Sequence, residues 1–174
     1  MIYIIMDLEL TCWKDNKDFK LQEIIEIGAV KLNSGFEKID EFDVFIRPIE
    51  NPLLSEFCHD LTHITQKDVD GASTFNNVLP EFIEWIGAEA YVLITWGNFD
   101  LTHMQVDCKR HKIKFPKHLS RNPVNLKQHF ADFRHIRPCG MDQALQMLNI
   151  PLTGKHHRGI DDARNISKIA KRIL

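Results

Sequence analysis

Residues 2–9 (IYIIMDLE) are a short apolar run rich in β-branched side chains, as expected of a buried strand. Runs of the same kind at 23–32 (EIIEIGAVKL) and 40–47 (DEFDVFIR) predict second and third strands, with Asn33-Ser34-Gly35 as the turn between them. Pro48 and Pro52 then break the pattern, and 53–72 is expected to be irregular. Beyond Ser73 or Thr74 as a cap, Phe75, Val78, Leu79, Phe82 and Trp85 or Ile86 recur at three and four, which predicts a helix through Trp85. YVLIT at 91–95 reads as another buried strand, ended by Gly97, and a helix is expected from near Asn98 with Asp100 in its first turn. Shorter helical patterns near 124–133 and 141–148 precede a strongly amphipathic C-terminal segment, ARNISKIAKRIL. Early strands followed by strand and helix in alternation predict an α/β architecture, a mixed sheet flanked by helices.

Composition adds little to this until it is divided. The 174 residues are 44% hydrophobic and 26% charged, with a net charge of −2, which excludes disorder, a collagen-like chain and an indiscriminate polycation. One domain over 1–174 is expected, large enough to bury about two-thirds of its unfolded surface. Residues 1–100 carry 7 basic and 19 acidic groups (−12), whereas 101–174 carry 15 basic and 5 acidic groups (+10). Such a chain can present an acidic region to cations and a basic one to an anion. Cys12, Cys58, Cys108 and Cys139 form no CxxC pair, and the apolar stretch Ile2–Met6 is too short for a signal or a membrane span. An intracellular, by preference cytoplasmic, protein with reduced thiols and no membrane partner is expected.

The chemistry is concentrated in a few carboxylates. Asp7 and Glu9 stand two apart at the end of the first strand, so their side chains share one face. Two buried like charges are costly unless a cation lies between them, although a solvated pair at a loop entrance explains the pattern equally well. Asp100 follows the strand at 91–95, and ligands of α/β sheets bind at strand C-termini. In the last segment, Asp162 shares a helical stripe with Ile166, Ile169 and Ile173, whereas Asp161 goes with Asn165, Lys168 and Arg172. The apolar stripe must pack on the core, so Asp162 points inward and Asp161 outward. His157 precedes Asp162 by five residues, and Gly159 suggests a bend that leaves this histidine on a loop over the site.

Taken together, Asp7-Leu8-Glu9, Asp100 and His157…Asp162 resemble the DEDDh 3′→5′ exonucleases, a family with a ribonuclease H-like fold. Asp7–Cys12, Glu23–Val30, Arg47–Gln66 and His157–Ile166 are similar to the branch that trims histone mRNA and small-RNA 3′ ends. His63 departs from it, standing where that branch usually has Gly in LTGIT. The resemblance implies two Mg²⁺ ions, replaceable by Mn²⁺, held by Asp7, Glu9, Asp100 and Asp162, with Asp7 bridging. Hard divalent ions prefer oxygen donors, and two of them about 3.5–4 Å apart can clamp both the entering and the leaving oxygen of a phosphoryl displacement. It also makes His157 the general base, with the neighbouring His156 set aside on spacing, and nucleoside 5′-monophosphates the products. By the same resemblance Phe57 and Phe99 sandwich the terminal base beside Leu10 and Thr11. Aromatic stacking suits any base, and ordinary core packing is the competing explanation for both phenylalanines. Arg158 is the chosen phosphate contact. Single-stranded RNA 3′ ends are the expected substrate, with a DNA-directed exonuclease and a non-catalytic nucleic-acid-binding module as alternatives. The chain ends with the catalytic helix, so a partner protein is the expected source of any further RNA contact.

Overall fold

The first strand, β1 (Ile2–Leu10), alternates between two destinations, and the rest of the chain is arranged around that alternation. A computed structural model describes residues 1–16 and 18–174. β1 pairs antiparallel with β2 (Ile24–Leu32), which pairs antiparallel with β3 (Lys38–Phe45). On its other side β1 runs parallel to β4 (Tyr91–Thr95), and β4 runs parallel to the short β5 (Val124–Asn125). The order across the sheet is β3-β2-β1-β4-β5, the mixed sheet that the sequence leads one to expect.

Ile2, Ile4, Met6 and Leu8 point to one face, against α3 (Phe75–Ile86) and α4 (Phe99–Arg110). Tyr3 and Ile5 point to the other, against α5 (Leu126–Arg134), α6 (Met141–Met147) and α7 (Gly159–Ile173). By the same period-two rule, Asp7 and Glu9 continue the face that α7 covers. That face becomes the site.

Two expectations are corrected. The stretch 53–72 is not irregular: it holds two short helices, α1 (Glu56–Thr62) and α2 (Gln66–Asp70). Ser55 caps the first, its hydroxyl accepting the Cys58 N–H at 3.0 Å. Thr65 and Asp68 form a capping box on the second, with the Thr65 N–H donating to Asp68 at 2.8 Å. The pattern near 124 begins as strand, since Val124 and Asn125 pair with Ile94 and Thr95 before α5 starts. Among the described residues no helix is long and apolar enough to cross a membrane.

Candidate active site

Two glycines set how close α7 comes to the sheet. A Cβ on Gly28 would lie 2.0 Å from the Ile160 nitrogen and 2.1 Å from the Gly159 carbonyl carbon. A Cβ on Gly159 would lie 3.2 Å from the Asp7 carbonyl oxygen. The first turn of α7 therefore rests directly on β1 and β2. Glu26, facing the same way as Gly28, is buried under that turn and accepts the backbone N–H groups of Gly159 (3.0 Å) and Ile160 (3.2 Å). A carboxylate there satisfies two free donors and complements the positive end of the helix. Burial pushes the Glu26 carboxyl up, opposed by Arg158 and these two N–H groups.

This seating brings Asp162 to the pair on β1. Carboxylate oxygens of Asp7, Glu9 and Asp162 all lie within 4.8 Å of one another. They line a cavity of about 460 Å³ whose wall also includes Asp100 and Trp96. Asp100 stands slightly apart: it is outside the three-carboxylate cluster, and one of its oxygens accepts the Leu8 N–H at 3.2 Å. The sequence places Asp161 outward, and it does face away from the cavity, accepting the Lys155 N–H and pairing with Arg164. Its face is covered rather than free, because buried Asn165 holds the 151–155 loop through Thr153.

Burial comes first in the electrostatics, and for Asp7 and Glu9 mutual repulsion comes second. Burial, then Asp100, Glu9 and Asp162, hold the Asp7 carboxyl well above the usual range. Glu9 is raised by burial and then by Asp162, Glu26 and Asp100. Asp100 is pushed up to about 6 by burial, against the Leu8 N–H and Lys127. Asp162 is pushed up to about 7 by burial, against the His157 N–H. One Asp162 oxygen, Oδ1, is buried with no hydrogen-bond partner among the described residues. An all-oxygen donor set with an unmet acceptor fits a hard divalent cation.

His157 lines the same cavity from the loop before α7, its N–H donating to Asp162 Oδ2 at 3.0 Å. Burial, then His156, keeps its imidazole below the usual value. The bend comes from His157 itself, with φ of 64°, and not from Gly159, whose absent Cβ serves the close approach to β1. His156 also lines the cavity, 3.8 Å from Asp162.

The other expected contacts divide. Leu10 and Phe99 line the cavity, and Phe99 is 55% exposed, its ring 4.2 Å from that of His103. Phe57 is 39% exposed on α1, one turn before the cavity-lining Leu61. Neither phenylalanine is a core residue. Thr11 does not reach the cavity wall: it is buried, with its hydroxyl accepting the Glu23 N–H at 2.9 Å. Arg158 is likewise corrected. Its guanidinium donates to Glu26 at 3.1 Å and lies over the Phe45 ring, so it steadies the α7 seat instead of facing the cavity. Sequence reasoning passes over Glu26, Lys127 and Asp142, and the last two line the cavity. For Glu26 a signal exists, an acid inside the apolar run EIIEIGAVKL.

Comparison with known proteins agrees with this geometry. The exonuclease family model of the RNase T type matches residues 4–170. The chain is 36% identical over 194 residues to ERI1 exoribonuclease 2 of Xenopus laevis, covering 98% of this chain and 28% of that protein. It is 34% identical over 180 residues to 3′-5′ exoribonuclease 1 of Rattus norvegicus, covering 98% of this chain and 52% of the relative. The chain thus spans about half or less of these relatives. The nuclease domain of 3′hExo, a DEDDh family member solved with rAMP bound, superposes with a TM-score of 0.91 at 33% identity, covering 99% of this chain and 91% of that one. Escherichia coli exonuclease I shares the fold alone, with a TM-score of 0.76 at 14% identity over 98% of this chain and 40% of that one.

Proposed function

The chain belongs to the exonuclease family, in its DEDDh group, and from that premise we propose that it removes nucleotides one at a time from the 3′ end of single-stranded RNA. The observation that carries the reading is the meeting of Asp7, Glu9, Asp100 and Asp162 at one cavity, three of them within 4.8 Å, with His157 at its wall.

Asp7, Glu9, Asp100 and Asp162 would hold a pair of divalent cations, Mg²⁺ by preference with Mn²⁺ able to substitute. When bound, these supply Lewis-acid stabilisation of the charge that develops on the scissile phosphate. The chain's own groups do the rest. His157, kept neutral by burial, takes the proton of the attacking water on its free imidazole nitrogen. Attack at phosphorus breaks the bond to the 3′ oxygen of the preceding residue and releases a nucleoside 5′-monophosphate. Phe99 and Leu10, with Phe57 at the edge, offer apolar surface to the terminal base. Lys127, the cation on the cavity wall, draws in the phosphate. A partner protein that adds RNA contacts and an intracellular setting belong to the same proposal.

The reading is tested with matched 5′-labelled single-stranded RNA and DNA in Mg²⁺, with EDTA and Asp7→Ala as controls. A ladder shortening from the 3′ end of RNA is expected. No metal-dependent cleavage of either strand would sink the enzyme reading, and faster cleavage of DNA would reassign the substrate.

A further inference from the structure

Adjacent side chains of an extended chain leave on opposite sides of the backbone. His156 and His157 do not. The left-handed conformation at His157, with φ of 64°, turns both rings to one side, where they stack with centroids 4.0 Å apart and planes 15° from parallel. Such a conformation is unfavourable for a side chain larger than glycine, and it persists where the surroundings enforce it. Its result is to gather two imidazoles beside one carboxylate. Donor atoms of His156, His157 and Asp162 all lie within 4.8 Å of one another, and His156 Nε2 is 3.8 Å from Asp162 Oδ2. Asp162 is 6% exposed, and its Oδ1 has no partner among the described residues.

We propose that His156, His157 and Asp162 form a transition-metal site, distinct in donor chemistry from the all-carboxylate cluster, that takes Zn²⁺ and in doing so switches hydrolysis off. Two imidazole nitrogens and one carboxylate oxygen suit a borderline-soft cation, whereas Mg²⁺ prefers oxygen alone. Tetrahedral zinc with bonds of about 2.0–2.1 Å sets its donors roughly 3.4 Å apart. The observed separations are somewhat wider, a gap that rotation of the 37%-exposed His156 ring closes. Three protein donors leave the fourth position to the cavity, the pattern of an exchangeable site rather than a closed structural one.

Inhibition follows from shared atoms. Zinc on His157 occupies the nitrogen that would take the proton, and zinc on Asp162 removes one carboxylate from the cluster. This consequence rests on the exonuclease reading, but the binding itself does not.

Zn²⁺ is titrated calorimetrically into the whole protein at one fixed Mg²⁺ concentration, the same for every variant. Wild type, His156→Ala and His156→Gln are compared, with far-UV circular dichroism to verify folding. Both variants are expected to bind zinc at least tenfold more weakly and to lose the intense visible absorption that tetrahedral Co²⁺ gives the wild type. In the RNA digest, the zinc concentration that halves each variant's own rate rises by the same factor. Equal zinc affinity and equal Co²⁺ spectra in wild type and variants would overturn the site. Zinc binding that depends on His156 in a protein without Mg²⁺-dependent cleavage would leave the site standing and remove the exonuclease reading instead.

Discussion

His63 ends α1 in the left-handed conformation, φ 60°, with its N–H donating to the His59 carbonyl at 2.8 Å. That geometry costs a residue with a Cβ about 1–2 kcal/mol, and glycine's freer unfolded chain offsets about 0.4–1 kcal/mol of any relief. His63→Gly is therefore expected to stabilise the protein by about 0.5–1 kcal/mol and to raise Tm by about 1–4 °C in a calorimetric scan. An unchanged or lower Tm would show that the imidazole makes contacts worth more than the backbone strain. His157 has the same backbone conformation with a different consequence, since its ring is the proposed base. His157→Ala should lower kcat by roughly 10²–10⁴-fold while Mg²⁺ still binds the four carboxylates. Stopped substrate turnover with intact metal binding separates this role from a structural one. Loss of metal binding as well would mean that the His157 loop holds Asp162 in place.

The strands are legible in the sequence as short apolar runs and the long helices by their period, and the apolar stripe of α7 is enough to turn Asp162 inward. What is not legible depends on pairing between distant segments. Buried Glu23 accepts the N–H groups of Ile49, Glu50 and Asn51, Asp107 on α4 accepts that of Ile24, and Glu26 caps α7. Nothing local in sequence says whether such an acid meets a metal or a helix end. The same limit explains Arg158, whose partner Glu26 lies 132 residues away. The helices α1 and α2 are too short to show a period, yet Thr65-x-x-Asp68 is a readable cap. Gly28 gives the sharpest test at this scale. Gly28→Ala would drive a methyl into the α7 backbone, costing about 1–3 kcal/mol or more, and Tm should fall by about 3–10 °C. Because α7 carries Asp162, kcat should fall further than stability alone explains. A variant with wild-type Tm and kcat would mean that α7 is not seated on Gly28.

Across the whole molecule, the −12 and +10 halves of the chain meet at one cavity: Asp7, Glu9 and Asp100 come from the first, Asp162 and His157 from the second. The four acids then act on global stability together. With Asp100 held up at about 6 and Asp162 at about 7, the folded protein retains protons that an unfolded chain has already released above about pH 4. Where the folded state binds more protons, stability falls as pH rises, so ionising these acids through about pH 4–7 destabilises the cation-free protein. His103 opposes this. Burial lowers it to about 4, so it stays neutral where the unfolded chain is protonated, and its contribution grows with pH up to about 6.5. The carboxylate effect is therefore isolated as a difference between two proteins. In EDTA, Asp7→Asn should melt above wild type, by a margin that widens from about pH 5 to about pH 7.5. Mg²⁺ or Mn²⁺ should raise the wild-type Tm, more at the higher pH, where fewer protons compete for the carboxylates. The same ions should do little for Asp7→Asn, whose cluster has lost a charge. Scanning calorimetry of both proteins, with and without the ions, measures all of these quantities. A margin that shrinks as pH rises would mean that the carboxylates are already satisfied inside the protein, and that they do not await a cation.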